Sequence, residues 1–208
     1  MKGKAMKVLV IGGRGVIGSA VVELLSATHQ VLVGGRNGGD VAVDMTDPAS
    51  IEAMYQAHPD LDAVVVTAGH VPFKPLSQLS EADWQDGLND KLMGQVRLVQ
   101  SGARHLKAGA VFVLTSGLLE REHIRGGSCA SLVNAGLAAF VRSAAQELWG
   151  QARVNLVSPG PVAGDERGAE AFAGFMSISS EQIAQSYLRA LSQPLSGKVL
   201  EVFAEVTR

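Results

Sequence analysis

The stretch VLVIGGRGVIGSAVVELL near the start of the chain restricts the possible folds more than any other. An apolar run at 7–11 breaks at Gly12 and Gly13. Gly15 and Gly18 follow at spacing three, and Ile17, Val21, Leu24 and Leu25 then recur at helical period. The pattern predicts strand, tight turn, helix. Without Cβ atoms the turn can bend sharply, a pyrophosphate can approach the backbone of Gly12, Gly13, Arg14, Gly15, Val16 and Ile17, and Gly18 lets the helix settle on the sheet. Unpaired amides at the helix start attract an anionic phosphate. The competing reading is a tight βα turn that holds no ligand. The pattern's place, directly after a first strand and opening an amphipathic helix, favours a dinucleotide.

Further apolar, β-branched runs stand at 30–34, 41–43, 63–67, 110–115, 152–157 and 198–203. Helical periods separate them, for example Val133, Leu137, Phe140, Val141, Ala144 and Leu148, and later Ile183, Tyr187, Leu188 and Leu191. Nearly continuous apolar strands alternating with helices predict an α/β fold, a doubly wound parallel sheet with helices on both faces. A chain of 208 residues accommodates one such domain, expected over 1–208, and leaves no room for a separate substrate domain. A formal net charge of −2 without a Lys/Arg run gives no reason to expect nucleic acid or a membrane surface as partner. Cys129 is the single cysteine, so no internal disulfide framework exists, in keeping with a reducing compartment. The basic, then apolar start at 1–11 is too short for an export signal before the glycines interrupt it, and no apolar stretch suits a bilayer. The expected location is the cytoplasm. His, Cys and acidic residues show no metal-ligand spacing, so no metal is expected. The Gly- and Ala-rich stretch 160–174 is the expected mobile loop.

The end of the second strand bears on which dinucleotide is held. An acidic residue there receives a ribose 2′-hydroxyl in NAD sites. This chain reads VLVGGRN, with Arg36 and no acid, while Arg14 stands in the glycine turn. Two guanidiniums suit a 2′-phosphate, which favours NADP(H) over a pair of merely solvated arginines.

At this point the chain resembles the short-chain dehydrogenase/reductase family, from the first strand to the last. GGRGVIG resembles the family's TGxxxGxG turn, with the middle glycine shifted by one to Gly15. DMTD at 44–47 resembles its D-x-T-D, which implies Asp44 and Met45 beside the adenine; the lesser reading of Asp44 is a cap on the following helix. TAG at 67–69 resembles the end of its NNAG motif, implying that Ala68 and Gly69 lie against the cofactor, with His70 following. PLSQLSEADWQ at 75–85 and SGKVLEV at 196–202 resemble two further family segments. VNLVSPGPV at 154–162 resembles V-N-x-V-x-P-G-x-V, implying contact of Pro159, Gly160 and Val162 with the nicotinamide end. The resemblance implies a Rossmann-type sheet of about seven strands in the order 3-2-1-4-5-6-7.

The family's catalytic set is a Ser, a Tyr-x-x-x-Lys pair and an Asn, and here the resemblance breaks. VFVLTSG at 111–117 places Ser116 at the serine. SAAQEL at 143–148 resembles S-L-A-x-E-L, and counting back from Glu147 puts Ala130 at the tyrosine and Asn134 at the lysine. The stretch GGSCASLVNAGL holds neither Tyr nor Lys. KLMG at 91–94 stands for N-x-x-G, so Lys91 replaces the asparagine. Lys91 is either a solvated helix lysine or an inward amine whose desolvation would lower its pKa and fit it for acid–base work. The expected catalytic set is Lys91, Ser116 and Asn134. His70 and His123 are lesser candidates, and Cys129 reads as a packing residue.

Two functions remain open on the sequence: an NADP(H)-dependent oxidoreductase acting on a small carbonyl or alcohol, and an NADP(H)-binding sensor or scaffold without hydride transfer. The loop 160–178 reads as a poor lid. The helices near 80–105 and 128–149 correspond to those through which the family commonly assembles, implying a homodimer or homotetramer.

Overall fold

The computed structural model describes residues 5–165 and 169–203. Strands form at each expected run: β1 (Lys7–Ile11), β2 (Gln30–Gly35), β3 (Val41–Ala42), β4 (Ala63–Val66), β5 (Ala110–Thr115), β6 (Ala152–Pro159) and β7 (Val199–Val202). They make one seven-stranded sheet in the expected order, β3-β2-β1-β4-β5-β6-β7. Every pairing is parallel, with Val8 opposite both Val31 and Ala63 at the centre.

Alternation along the strands explains why they read as continuously apolar. Leu9, Ile11, Val64, Val66, Phe112, Leu114, Val154 and Leu156 face one side. There they meet α2 (Pro48–Ala57), α4 (Gly94–His105) and α5 (Ser128–Glu147) through Ile51, Tyr55, Leu98, Val133 and Leu137. Val8, Val10, Val65, Val111, Val113 and Val157 face the other side. They meet α1 (Val16–Ser26) and α6 (Ser180–Ser192) through Val21, Leu25, Ile183, Tyr187 and Leu191. Both faces are therefore dry, and each fully buried large side chain contributes roughly 1.5–3 kcal/mol.

Local chemistry fixes the ends. Asp47 caps α2 by accepting from Ala49 N, and Pro48 occupies the first helical position. Ser80 and Asp83 form a capping box on α3 (Glu81–Gly87), as Ser179 and Gln182 do on α6. Arg153 donates to Ala190 O, Leu191 O, Gln193 O and Leu195 O, closing the end of α6. Asn155 ties the β6–β7 connection by donating to Leu195 O and accepting from Lys198 N.

Two expectations change. The helix foreseen over 80–105 is α3 and α4 joined by a π-helical stretch, Leu88–Met93. Of the stretch 160–174, residues 166–168 lie outside the described residues. Its described part carries the parallel bridge Val162–Ile178 and one 3₁₀ turn, Ala169–Phe172.

The glycine turn leaves no room for substitution. A Cβ on Gly18 would lie 2.1 Å from Gly12 O and 2.7 Å from Thr67 Oγ1. Gly18→Ala should therefore destabilise the protein by about 1–3 kcal/mol, the range of overpacked sites, in urea denaturation. Wild-type stability would show that α1 tolerates a wider seat.

Candidate functional site

The sheet reverses its winding at β1, whose neighbours β2 and β4 lead to opposite edges. A crevice opens above the carboxyl ends of such strands. Gly12, at φ +85°, turns the chain there, and a Cβ on it would fall 2.7 Å from Ala68 N. Gly12 N donates to Gly34 O, Gly15 N to Gly12 O, and Thr67 N to Ile11 O, so the ends of β1, β2 and β4 are tied together. Gly15 caps α1 with no side-chain bond, and the first turn of α1 holds no acid. Its amides are left for an outside acceptor, and their dipole favours an anion. Gly13 serves the packing, since a Cβ would press on Val22 and Val33.

Arg14 is exposed and donates through Nη1 to Asn37 O at 3.2 Å, lying over Gly38 in the loop that Arg36 opens. Asp44 accepts from Thr46 N at 2.9 Å and Thr46 Oγ1 at 2.7 Å. The Thr46 amide, then its hydroxyl, and finally the charge of Arg36 hold the Asp44 carboxyl below its ordinary value, against the effect of burial. Asp44 is not the helix cap, because Asp47 takes that place. The Met45 side chain is buried in the core, packed where a Cβ of Gly94 would be 2.9 Å from Cγ. Only the backbone of Met45 is left to border a ligand.

At the far end a cavity of about 800 Å³ is lined by Gly69, Lys91, Ser116, Ala130, Asn134 and Pro159 among others. His70, Gly160 and Val162 also line it, while exposed His123 does not. Lys91 points inward. Its stem lies on Gly69, where a Cβ would be 2.7 Å from Lys91 Cγ, and Gly69 stands at φ +144°. Lys91 Nζ donates to Ser116 O at 3.0 Å. Burial pushes the ammonium down to about 8 from 10.5, and the neighbouring Asp90 partly opposes it.

The π-helical stretch sets this arrangement, as such bulges often do at functional sites. Asp90 Oδ1 accepts from His70 N at 2.7 Å, holding the turn after β4. Gln95 is fully buried: it accepts from Thr115 N and donates to Thr115 O and Lys91 O. Asp90, Lys91 and Gln95 thus join one helix to the ends of two strands.

Ser116 follows β5, is almost fully buried, and lies with Oγ 3.3 Å from Glu120 Oε2. Asn134 comes from α5 with its Nδ2 beneath Gly117. Its Oδ1 is buried without a protein partner, as is Ser158 Oγ. Cys129 is core: its sulfur packs toward Gly87, and burial raises the thiol's pKa. Side chains of 160–178 contribute to the cavity lining. Phe172 meets Phe73 edge-on at 6.4 Å and Phe175 at 5.9 Å, and all three line the cavity.

Lys91, Ser116 and Asn134 therefore line one cavity, which Ala130 lines as well. Sequence reasoning missed Asp90, Gln95, Glu120 and the three phenylalanines. Glu120 had a signal, four residues beyond Ser116 in SGLLE, whereas the others depend on the π-helical register and on loop folding. Among the described residues no helix is long and apolar enough to cross a membrane, and no His/Cys/Asp/Glu cluster suits a metal.

The family described as enoyl-(acyl carrier protein) reductase matches residues 15–196. The 3-oxoacyl-[acyl-carrier-protein] reductase FabG of Escherichia coli is 28% identical over 174 residues, 73% of this chain and 71% of that protein. The crystal structure of lin1944 from Listeria innocua superposes with a TM-score of 0.93 at 34% identity, over 96% of this chain and all of that one. A small-chain dehydrogenase in complex with NADPH gives 0.84 at 26% identity, over 96% and 97% of the two chains.

The buried Lys91 leaves a signature in stability. Its folded pKa lies below the unfolded one, so between about 8 and 10.5 the unfolded chain holds more protons and stability rises with pH. Tyr55 and Tyr187, whose pKa values burial raises, reverse the trend at higher pH. Urea unfolding between pH 8 and 9.5 should show the rise in wild type and not in Lys91→Met.

Proposed function

Because the chain belongs to the short-chain dehydrogenase/reductase family, we propose that it is an NADP(H)-dependent oxidoreductase acting on a small carbonyl or alcohol through a rearranged catalytic site. One observation carries the reading: Lys91 Nζ, reaching in from the helix before β5, is fixed at Ser116 O on the cavity that Asn134 also lines.

The residues present fit the cofactor. The cradle of Gly12 and Gly18, which Cβ atoms would fill, and the uncapped start of α1 suit a pyrophosphate. Arg14 and Arg36 suit a 2′-phosphate, and Asp44 with the Met45 backbone borders the adenine side. Val16 and Ile17 open α1 above the cradle. Ala68, Gly69, His70, Pro159, Gly160 and Val162 would flank the nicotinamide half, and the unpartnered Asn134 Oδ1 suits a ribose hydroxyl. NADPH accompanies one similar structure, and the FabG relatives are reductases by name. When bound, the nicotinamide would supply the hydride.

The chain's own residues would handle the oxygen. Ser116 Oγ holds the carbonyl oxygen by donating to it. The Lys91 ammonium, with its pKa near 8, remains mostly protonated at neutrality and donates a proton to the developing alkoxide. Lysine and asparagine have in effect exchanged positions relative to the family pattern, Lys91 for its Asn and Asn134 for its Lys. The cavity keeps one cation and one amide, and only the tyrosine hydroxyl is lost, at Ala130. That loss favours the second reading, a sensor or scaffold that binds NADP(H) without turnover.

NADPH oxidation with a panel of activated carbonyls, alongside calorimetric binding, separates the two. Lys91→Met should keep NADPH affinity and lose about 10²-fold or more in turnover. Unchanged turnover would remove Lys91 from the chemistry, and binding without turnover across the panel in wild type would favour the sensor. Arg14→Ala with Arg36→Ala should weaken NADPH binding by about 10²-fold or more, at about 1.5–3 kcal/mol per charged hydrogen bond, with little effect on NADH. Equal losses for both coenzymes would refute the 2′-phosphate role. We also propose a homodimer or homotetramer through α4 and α5, near which Met93 and Leu132 are exposed.

A further inference from the structure

Ser116 has a single hydroxyl hydrogen and two directions in which to point it. One side of Ser116 faces the cavity, while Oγ lies 3.3 Å from Glu120 Oε2. An ionised carboxylate can only accept. While Glu120 is ionised, it takes the Ser116 hydrogen and leaves lone pairs toward the cavity, which repel a carbonyl oxygen. A neutral Glu120 donates to Oγ instead and frees the Ser116 hydrogen for an acceptor in the cavity. We propose that Glu120 is a positioning residue that sets the direction of the Ser116 hydroxyl, and that its neutral form is the one in which Ser116 holds a carbonyl oxygen. The inference rests on the reading of Ser116 given above.

The surroundings of Glu120 agree with this role. It ends the 3₁₀ turn Leu118–Glu120 that follows β5 and is half-buried. The charged groups facing it are Glu201 of β7, Arg142 of α5 and its neighbour Arg121. Arg121 is shared, since its Nη2 lies 2.7 Å from Glu201 Oε1. Burial raises the Glu120 carboxyl above its ordinary value and Glu201 adds to this, while the Ser116 bond and the two arginines oppose it. An alcohol is affected differently from a ketone. Its hydroxyl can donate to the Oγ lone pair that ionised Glu120 leaves exposed, so only the ketone loses its partner when Glu120 ionises.

The test uses the holoenzyme with butane-2,3-dione as ketone and 3-hydroxybutan-2-one as alcohol, and the protein without cofactor for spectroscopy. In wild type, the KM for the dione should rise up to about tenfold as pH passes through the Glu120 titration, the value of one lost neutral hydrogen bond. The KM for oxidation of the alcohol should not rise. Glu120→Gln, which is always neutral, should give a flat KM profile for the dione, and Ser116→Ala a flat profile at high KM. The kcat profile should follow Lys91 in all of them. Independently of turnover, the infrared carbonyl band of a neutral carboxylic acid should persist to higher pH in wild type than in Glu120→Gln, and Ser116→Ala should shift its titration upward. Native Glu120 holds its proton more tightly than the unfolded chain, so wild-type stability falls as pH rises through this range and the glutamine variant lacks that fall. Turnover with identical KM profiles in wild type and Glu120→Gln overturns the proposal and leaves the oxidoreductase reading intact. A shifted carboxyl band without NADPH oxidation in any variant supports the Glu120–Ser116 coupling and defeats the oxidoreductase reading instead.

Discussion

Two absent side chains hold the architecture of the site together. Gly18 lets α1 rest on the turn at a distance where a Cβ would overlap Gly12 O, and Gly12 lets that turn rest on Ala68 at the end of β4. β1, α1 and β4 can meet this closely only because no Cβ intervenes. The helix start is thereby aimed over the point where the sheet changes direction, with its first amides uncapped. An anion at this place meets both the helix dipole and the backbone of the turn. Arg14 extends the same positive field across to the loop after β2.

The other end of the crevice is organised by a need of the sheet itself. Beyond the last paired residues of β4 and β5, backbone groups must find partners elsewhere, and buried ones seldom go without. Gln95 satisfies both backbone groups of Thr115, and Thr115 Oγ1 in turn donates to Val66 O. The π-helical stretch that accompanies this contact turns Asp90 to His70 N and Lys91 to Ser116 O. The polar cavity wall is thus a consequence of closing two strand ends. Among the described residues, Asn134 Oδ1 and Ser158 Oγ are buried without hydrogen-bond partners near the same end of the sheet, and Asn134 lines the cavity.

Much of this was legible in the sequence because it depends on period and spacing. Every strand begins within a residue of its apolar run, since burial on both faces leaves no alternation to confuse the pattern. The glycines were legible from their place after the first strand, and Ser116, Ala130 and Asn134 were located by counting along motif-like segments. The burial of the Met45 side chain was not legible, because a motif fixes backbone position but not side-chain direction, and Gly94 opens a core seat that a methionine fills. Gln95 and Asp90 look like ordinary surface residues of an amphipathic helix. Their inward turn follows from a register that an α-helical period does not describe. The phenylalanines were hidden by the small residues around them, because Phe73 and Phe172 meet across a separation that no local pattern spans.

In the proposed reading Lys91 takes the place of the family's asparagine and Asn134 that of its lysine, so a cavity with Ala130 at the tyrosine position would still hold one cation and one amide. A cation near the reacting oxygen stabilises developing negative charge from either helix, because Coulomb attraction depends on distance and not on which element carries the ammonium. The approach does alter the cost. From α5 the amine would sit beside the unpartnered Asn134 Oδ1 position, whereas from the π-helical stretch it rests on Gly69 and is anchored at Ser116 O. That anchor ties the cation to the same residue whose hydroxyl meets Glu120. In the proposed site Ser116 therefore lies between a base whose burial favours losing its proton and an acid whose burial favours keeping it. The two shifts run in opposite senses: with its pKa near 8 Lys91 is still the ammonium at neutrality, while burial favours the protonated form of Glu120 that would turn the Ser116 hydrogen toward the cavity.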